Sequence, residues 1–351
     1  MNIKDIGKKY TPLIVIVLIA LIVLSITLAV LIGSVDITAK DVYKIVLSKI
    51  FNISLEEIPR AQADIVWELR LPRLIMAVLV GISLSLSGVV MQSIVKNPLA
   101  DPYVLGISSG ASLGATFAFL FNIGKNLGSY FMSIMAFLGA FITSLLVLTV
   151  ANYKKRSNSA RLILAGMAIA SLCTALASFI IWMSSSPAEA SQRINFWLMG
   201  SLEPSKWEHI KFLAPIVFIV LIFFQTQYRT LNLMLLGDDT AITLGKNLYW
   251  YRIVYLLLVS SLIGIVVSVC GVIGFVGLIF PHIIRSIFGT DHKIMLPITV
   301  LSSSIFMIWM DVLSRTLKKG SALPIGVVIA LLGAPIFIYL LFSRTYGFGD
   351  K

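Results

Sequence analysis

Long apolar stretches with almost no charge recur along the whole chain of 351 residues, and short polar segments separate them. Each stretch approaches or exceeds the roughly 20 residues that an α-helix needs to cross a bilayer. The pattern therefore predicts an all-α integral membrane protein. Ten spans are expected, over residues 11–35, 74–95, 102–124, 126–153, 162–187, 207–228, 249–270, 272–289, 294–315 and 322–343.

The seventh and eighth spans come from one uncharged run, residues 253–284. This run is too long for one ordinary span. Gly271, Gly274 and Gly277 interrupt the run and Pro281 follows, so we divide it into two spans. One kinked span is the alternative, and it would move every later loop to the other side of the membrane.

The loop over residues 34–73 contains a helix signal. Thr38 and Asp41 have the spacing of a capping box, in which the side chains of two residues three apart accept hydrogen bonds from each other's backbone N–H at the start of a helix. Apolar residues then recur at helical spacing from Val42 to Ile50. We expect a short amphipathic helix on the outer surface.

The loop over residues 229–248 reads RTLNLMLLGDDTAITLGKNL. It is too polar to span a membrane and too apolar for a plain linker. The sequence predicts one or two short helices, broken at Gly237 and Gly245.

Composition agrees with a lipid environment, since 58% of the residues are apolar and 13% are charged. Soluble proteins carry about 25% charged residues, and the mean hydropathy of +0.96 is far above theirs. These values exclude a soluble enzyme, a disordered chain and a nucleic-acid-binding protein, although the net charge is +12. Cys173 and Cys270 lie in apolar runs and are expected to be free buried thiols.

Basic residues set the expected orientation, because loops rich in Lys and Arg usually face the cytoplasm. If both termini lie in the cytoplasm, a slim majority of the Lys and Arg residues lies on the cytoplasmic side. The strongest single indicator is the cluster Lys154–Lys155–Arg156, in a short loop.

Two octets suggest an internal repeat. GISLSLSG (81–88) lies in the second span and GIVVSVCG (264–271) in the seventh, with Gly, Ile, Ser and Gly at matched positions. The copies are five spans apart and would face opposite ways, as in inverted-repeat transporters. Chance similarity between apolar octets is equally compatible.

Few polar residues inside the spans offer chemistry. Gly106, Gly110 and Gly114 follow one another at intervals of four, which favours close helix packing, with a substrate route as the alternative. Asp311 and Arg315 have the spacing of a helical ion pair. His282 follows Pro281 and His292 follows Asp291, but no cluster of carboxylates or thiols accompanies them, so we expect interfacial residues and no metal site.

The scarcity of buried charge bears on the energy source. Carriers driven by proton or sodium gradients usually need an ionisable residue or a broken helix deep in the membrane. The chain also lacks the phosphate-binding pattern GxxxxGK[ST]. A separate ATPase acting on the 229–248 loop accounts for both absences. A secondary transporter remains the alternative, and a membrane-embedded enzyme is disfavoured because the spans hold no catalytic cluster.

Several strings together carry a family resemblance. They are WELRLPRLIMAVLVG, SGVVMQSIVKNPLADPYVLGISSGASLG, GFVGLIFPHIIRSIFGTDHKIMLP, DVLSR and LPIGVVIALLGAPIFIYLL. This sequence resembles the FecCD-type permeases of ABC importers for ferric siderophores, haem and cobalamin. The family usually has Glu where this chain has Ala322.

The resemblance implies a type II ABC importer permease of the bacterial or archaeal cytoplasmic membrane. Its expected partners are a second permease copy, identical or paralogous, two ATPase subunits that use ATP and Mg, and an outer substrate-binding protein. The chain itself would bind no cofactor, and the ligand stays open among siderophore, haem and cobalamin. The implied site residues are Arg70, Arg73 and Arg315 for docking the binding protein, Asn97 and Leu99 for the cytoplasmic gate, and Leu236, Gly237, Asp238, Ala241, Leu244 and Gly245 for ATPase coupling.

Overall fold

A computed structural model describes residues 3–33, 35–51, 58–121, 129–151, 159–318 and 322–343. Within these ranges the chain forms α-helices with one π-helical and one 3₁₀ segment, and no strand. The helices are α1 (Ile3–Leu31), α2 (Ala39–Phe51), α3 (Arg60–Asp64), α4 (Leu71–Val95), α5 (Ile107–Phe121), α6 (Ser129–Ala151), α7 (Ser159–Trp182), α8 (Pro187–Leu198), α9 (Trp207–Thr226), α10 (Tyr228–Leu236), α11 (Asp238–Thr243), α12 (Tyr249–Cys270), α13 (Val276–Phe288), α14 (His292–Thr316) and α15 (Ile325–Ser343).

Seven of the described helices are long and apolar enough to cross a membrane, and α5, α13 and α15 are shorter apolar helices. These ten elements fall on the ten expected spans, so the all-α membrane fold is confirmed. The division of the seventh and eighth spans also agrees with the structure, because α12 ends at Cys270 and Gly271 adopts a φ of 70°.

Helix α4 is the centre of the fold, and nearly all of its residues are buried. It packs against α14, α13 and α12. Glycines permit this approach: a methyl group on Gly81 would lie 2.8 Å from the Ser304 Cα of α14, and one on Gly88 would overlap the Gly277 carbonyl of α13.

The repeat suggested by the two octets has a counterpart in the packing. Gly81 in α4 faces α14, and its matched residue Gly264 in α12 faces Phe137 and Ala140 of α6. Helices α4 and α12 are the second and seventh spans, while α6 and α14 are the fourth and ninth. The second helix of each repeat therefore packs against the fourth helix of the other repeat, and this reciprocal packing agrees with an inverted repeat.

The expected starts of two spans need correction, and the structure adds one helix that was not expected. The third span begins as a 3₁₀ segment, Pro102–Leu105, and its α-helix starts only at Ile107 because Gly106 turns the chain at a φ of 69°. The eighth helix begins at Val276 rather than at residue 272. Helix α8 was not expected at all, since its short polar sequence has no long apolar pattern. The Lys154–Arg156 cluster lies outside the described residues.

Candidate functional site

A π-helical turn, Ile65–Arg70, joins α3 to α4 in one continuous helix at the amino-terminal end of the second span. Arg70 is the last residue of this turn, and its side chain lies against the carboxyl end of α1. There the guanidinium donates to the Val30 and Leu31 carbonyls, at 2.8 and 3.3 Å, and to that of Val35. Arg70 is only 6% exposed, so it caps carbonyls that the end of α1 would leave unsatisfied.

Arg73 and Arg315 share the carboxylate of Asp311, which is fully buried. The Arg73 Nε lies 2.5 Å from one oxygen of Asp311 and the Arg315 Nε lies 3.2 Å from the other, so the expected ion pair between Asp311 and Arg315 is confirmed. Arg315 also donates to the carbonyls of Ala29, in the last turn of α1, and Ile32, just after it, at 2.8 and 2.6 Å.

The three arginines expected to dock a binding protein therefore do lie together. We name Arg70, Arg73, Asp311 and Arg315 the arginine cluster. In this structure their side chains are engaged within the chain rather than projecting as a free positive patch, since Arg73 and Arg315 are 14% and 11% exposed. The cluster still carries two more positive charges than negative ones among its own members.

Helix α2 lies in the loop beside the arginine cluster and has the expected cap. The Asp41 backbone N–H donates to the Thr38 hydroxyl at 3.3 Å, and that hydroxyl donates to the Asp41 carboxylate at 2.6 Å. Val42 and Ile45 are buried while Ile50 is exposed, so the helix is amphipathic as expected.

At the other end of α4, residues 96–101 form what we name the gate loop. Lys96 ends the helix in the left-handed conformation, with a φ of 56°. The Leu99 backbone N–H then donates to the Asn97 side-chain oxygen at 2.9 Å. Asn97 and Leu99, the two expected gate residues, are thus held in one tight turn, and both are partly buried.

Asp101 closes the gate loop by accepting the backbone N–H of Tyr103 at 2.8 Å, which caps the 3₁₀ segment. Burial raises the pKa of this carboxyl to about 6, and the hydrogen bond from Tyr103 opposes that rise.

The expected coupling loop, which we name the coupling segment (residues 229–248), contains two short helices broken where the sequence predicted. Gly237 separates α10 from α11 at a φ of 107°, and Gly245 follows α11 at 75°. Ala241 is buried, whereas Leu236 and Leu244 are 63% and 64% exposed. Such apolar side chains on a polar segment suit the groove of another protein.

The three glycines proposed for packing do not share one helical face, because Gly106 precedes α5. Gly110 and Gly114 lie against α6: a methyl group on Gly110 would be 2.5 Å from the Gly139 carbonyl oxygen, and one on Gly114 would overlap the Met135 carbonyl. Gly106 faces Thr143 of the same helix. All three positions therefore allow close contact with α6.

His292 departs from the expectation of an interfacial residue, since it is fully buried at the start of α14. Its ring contacts Ser93 of α4 at 2.8 Å and Asn232 of α10 at 2.6 Å. Sequence reasoning missed this contact because 60 or more residues separate the partners and no pattern links them. Within the described ranges, no three His, Cys, Asp or Glu side chains assemble as metal ligands.

Comparison with known proteins shows to which family this chain belongs. The FecCD transport family model matches residues 18–343, and the chain belongs to this family. It is 38% identical over 287 residues to the hemin transport system permease protein HmuU of Yersinia pestis, covering 80% of this chain and 85% of that protein. It is also 38% identical over 280 residues to the vitamin B12 import system permease protein BtuC of Salmonella paratyphi A, covering 80% and 84%.

Solved structures agree with the fold. A metal-chelate type ABC transporter in an inward-facing conformation matches with a TM-score of 0.81 at 32% identity, covering 95% of this chain and all of that one. PsaBC from Streptococcus pneumoniae matches with a TM-score of 0.54 at 19% identity, covering 78% of this chain and 91% of that one, which concerns the fold alone. The protein is therefore a multi-pass membrane protein of an ABC transporter family.

Proposed function

We propose that this chain is the membrane-spanning subunit of an ATP-driven importer for a metal chelate: a ferric siderophore, haem or cobalamin. Family membership over residues 18–343 is the observation that carries the proposal. The named relatives handle hemin and vitamin B12, both of which are metal ions in large organic ligands. The chain moves its ligand and performs no covalent chemistry.

Two copies of the permease, identical or paralogous, would form the pathway, with an ATPase beneath each. The exposed leucines of the coupling segment support contact with the ATPases, which would bind and hydrolyse ATP with Mg. Under this proposal the coupling segment, the gate loop and both termini lie on the cytoplasmic side, and the arginine cluster lies outside.

Asn97 and Leu99 are proposed to narrow the pathway beside their symmetry mates. Their position at the inner end of the most buried helix supports this role, because a small shift of α4 would move both residues together.

The arginine cluster is proposed to receive the outer binding protein. Its excess positive charge would attract carboxylates, and arginine forms bidentate bonds with them. Anchoring of α1 is the competing role.

Replacing both Arg70 and Arg73 with Glu distinguishes the two roles. If the arginines dock the binding protein, the folded variant complex should lose the stimulation of ATP hydrolysis by the binding protein. If they only anchor α1, less complex should fold, but the stimulation in that complex should be normal. Arg60, an exposed arginine of α3, offers a matched control as Arg60→Glu.

Reconstituted transport tests the function as a whole. The permease, its ATPase and its binding protein are placed in vesicles, and uptake of labelled ferric siderophore, haem and cobalamin is measured. We expect uptake of one ligand class that requires ATP. Uptake driven by a proton or sodium gradient without ATP would instead identify a secondary transporter and refute the proposal.

A further inference from the structure

The coupling segment touches the end of α4 through two sets of polar contacts that the proposed function does not use. The first passes through Asn232 on α10, His292 on α14 and Ser93 on α4. The second joins Asp238 at the start of α11 to Lys96 of the gate loop. The first set ends at Ser93, in the last turn of α4, and the second ends at Lys96, the residue that follows α4.

Hydrogen bonds define the first set completely. The Asn232 side-chain N–H donates to Asp291 at 2.9 Å, so its amide oxygen faces His292. That oxygen accepts the His292 backbone N–H at 2.9 Å and the ring Nδ1–H at 2.6 Å. With the proton on Nδ1, the neutral ring presents Nε2 as an acceptor to the Ser93 hydroxyl, 2.8 Å away.

Burial makes this first set rigid. His292 and Ser93 are fully buried, and leaving a buried polar group unsatisfied costs about 1–3 kcal/mol. Breaking the contact would leave the buried His292 Nε2 without a partner, whereas the Ser93 hydroxyl could still donate to the Val89 carbonyl, 2.8 Å away. This cost favours movement of α14 and α4 together with α10. Ser93 lies only four residues before Asn97, so such a movement reaches the gate loop directly.

The second set has the opposite character. Asp238 lies 2.8 Å from the Arg252 guanidinium of α12 and 3.8 Å from the Lys96 ammonium. Asp238 and Lys96 are 44% and 33% exposed, and exposed ion pairs contribute only about 0–1 kcal/mol. Arg252 is only 12% exposed, so the Asp238 carboxylate stays bound to it, whereas the contact with Lys96 can form and break at little cost. This suits a contact that changes with the state of the transporter.

We propose that Asn232, His292 and Ser93 form a fixed linkage and Asp238 an exchangeable one, and that together they transmit displacement of the coupling segment to the gate loop. These are positioning residues, because each is proposed to act through the helices that it connects. The inference rests on the proposed function, because it assumes that the ATPase acts on the coupling segment and that the gate loop closes the pathway.

The test measures ATP hydrolysed per ligand transported, in the complete reconstituted transporter. Asn232→Leu removes the fixed linkage and Asp238→Asn removes the charge of the exchangeable one. We expect each to raise the ratio at least about fivefold, the low end of coupling between sites. Asp238→Glu should keep the normal ratio. Asp239→Asn is the matched control, because Asp239 is the exposed neighbour on the same helix.

A second readout reports on the gate itself. Leu99→Cys, in a background with Cys173 and Cys270 replaced, should cross-link to its symmetry mate with a yield that depends on nucleotide. Adding Asp238→Asn should remove that dependence on nucleotide. A purely structural role predicts less folded complex, with an unchanged ratio and an unchanged nucleotide dependence in what remains, and this result would overturn the inference. If the Asn232→Leu complex does not assemble, the ratio and the cross-linking of the Asp238→Asn variant decide the test, because Asp238 is 44% exposed.

One further variant separates failure of the inference from failure of the proposed function. Leu244→Asp places a charge on the exposed apolar surface of the coupling segment and should release the ATPase. If that complex keeps its ATPase and normal uptake, the coupling assignment itself is wrong. If the ATPase is released while the Asn232 and Asp238 variants retain the normal ratio, the coupling segment is correctly assigned and only the transmission path is refuted.

Discussion

Neutralising Asp311 should destabilise this protein far more than neutralising an equivalent residue on its surface. Asp311→Asn keeps the side-chain shape but leaves Arg73 and Arg315 without their carboxylate, in a site where Asp311 is fully buried. Removing one partner of a buried pair costs about 3–5 kcal/mol. Because Arg315 keeps its bonds to the Ala29 and Ile32 carbonyls, we expect the low end, about 3 kcal/mol.

The chain supplies its own matched control. Glu189 and Arg193 on α8 have the same four-residue spacing with an N–O distance of 2.7 Å, but both are about 60% exposed. Glu189→Gln should cost about 0.3–0.5 kcal/mol. Unfolding in mixed micelles of increasing SDS content gives both values, and a loss of 3 kcal/mol changes the ratio of unfolded to folded protein about 150-fold. Equal losses for the two variants would refute the argument from burial.

Three further predictions concern single residues. Gly88→Ala should lower the unfolding free energy by more than the about 1–3 kcal/mol usual for overpacking, because the added methyl meets α13 backbone; an unchanged stability would contradict that contact. Thr38→Ala should cost about 1 kcal/mol through loss of the α2 cap, seen as faster amide exchange in α2, whereas Thr38→Ser should not. The pKa of Asp101 is about 6 in the folded protein, above the value near 4 in unfolded chains, so stability should fall as pH rises from about 4 to 6; a pH titration of unfolding should show this fall in the parent and not in Asp101→Asn.

Long apolar runs were sufficient to predict the membrane helices, because a helix satisfies all of its backbone hydrogen bonds within one segment of about 20 residues. The breaks at Gly237 and Gly245 were also predictable, since glycine adopts a positive φ without strain. The capping box before α2 was a third local signal that the structure confirms. All three depend on neighbours in the chain.

What the sequence could not predict depends on distant neighbours. The arginines near the second and ninth spans looked available to a partner, yet the carboxyl end of α1 engages Arg70 and Arg315. His292 looked interfacial, although α4 and α10 enclose it. Helix α8 was missed because it is short and mostly polar. Predicting these contacts requires knowing which helices pack together. A single sequence of apolar spans contains little information about that pairing.

The serines of α4 have a consequence for how the protein is made. Ser83, Ser85 and Ser93 each lie within 2.8 Å of the carbonyl oxygen four residues earlier in their own helix, which can accept the hydroxyl hydrogen. A newly made α4 can therefore enter the bilayer with these hydroxyls satisfied, although α14 is synthesised some two hundred residues later. When α14 arrives, Ser93 can redirect its hydrogen to His292. These three serines of the central helix thus tolerate lipid during biogenesis, and the Ser93–His292 bond forms only at assembly.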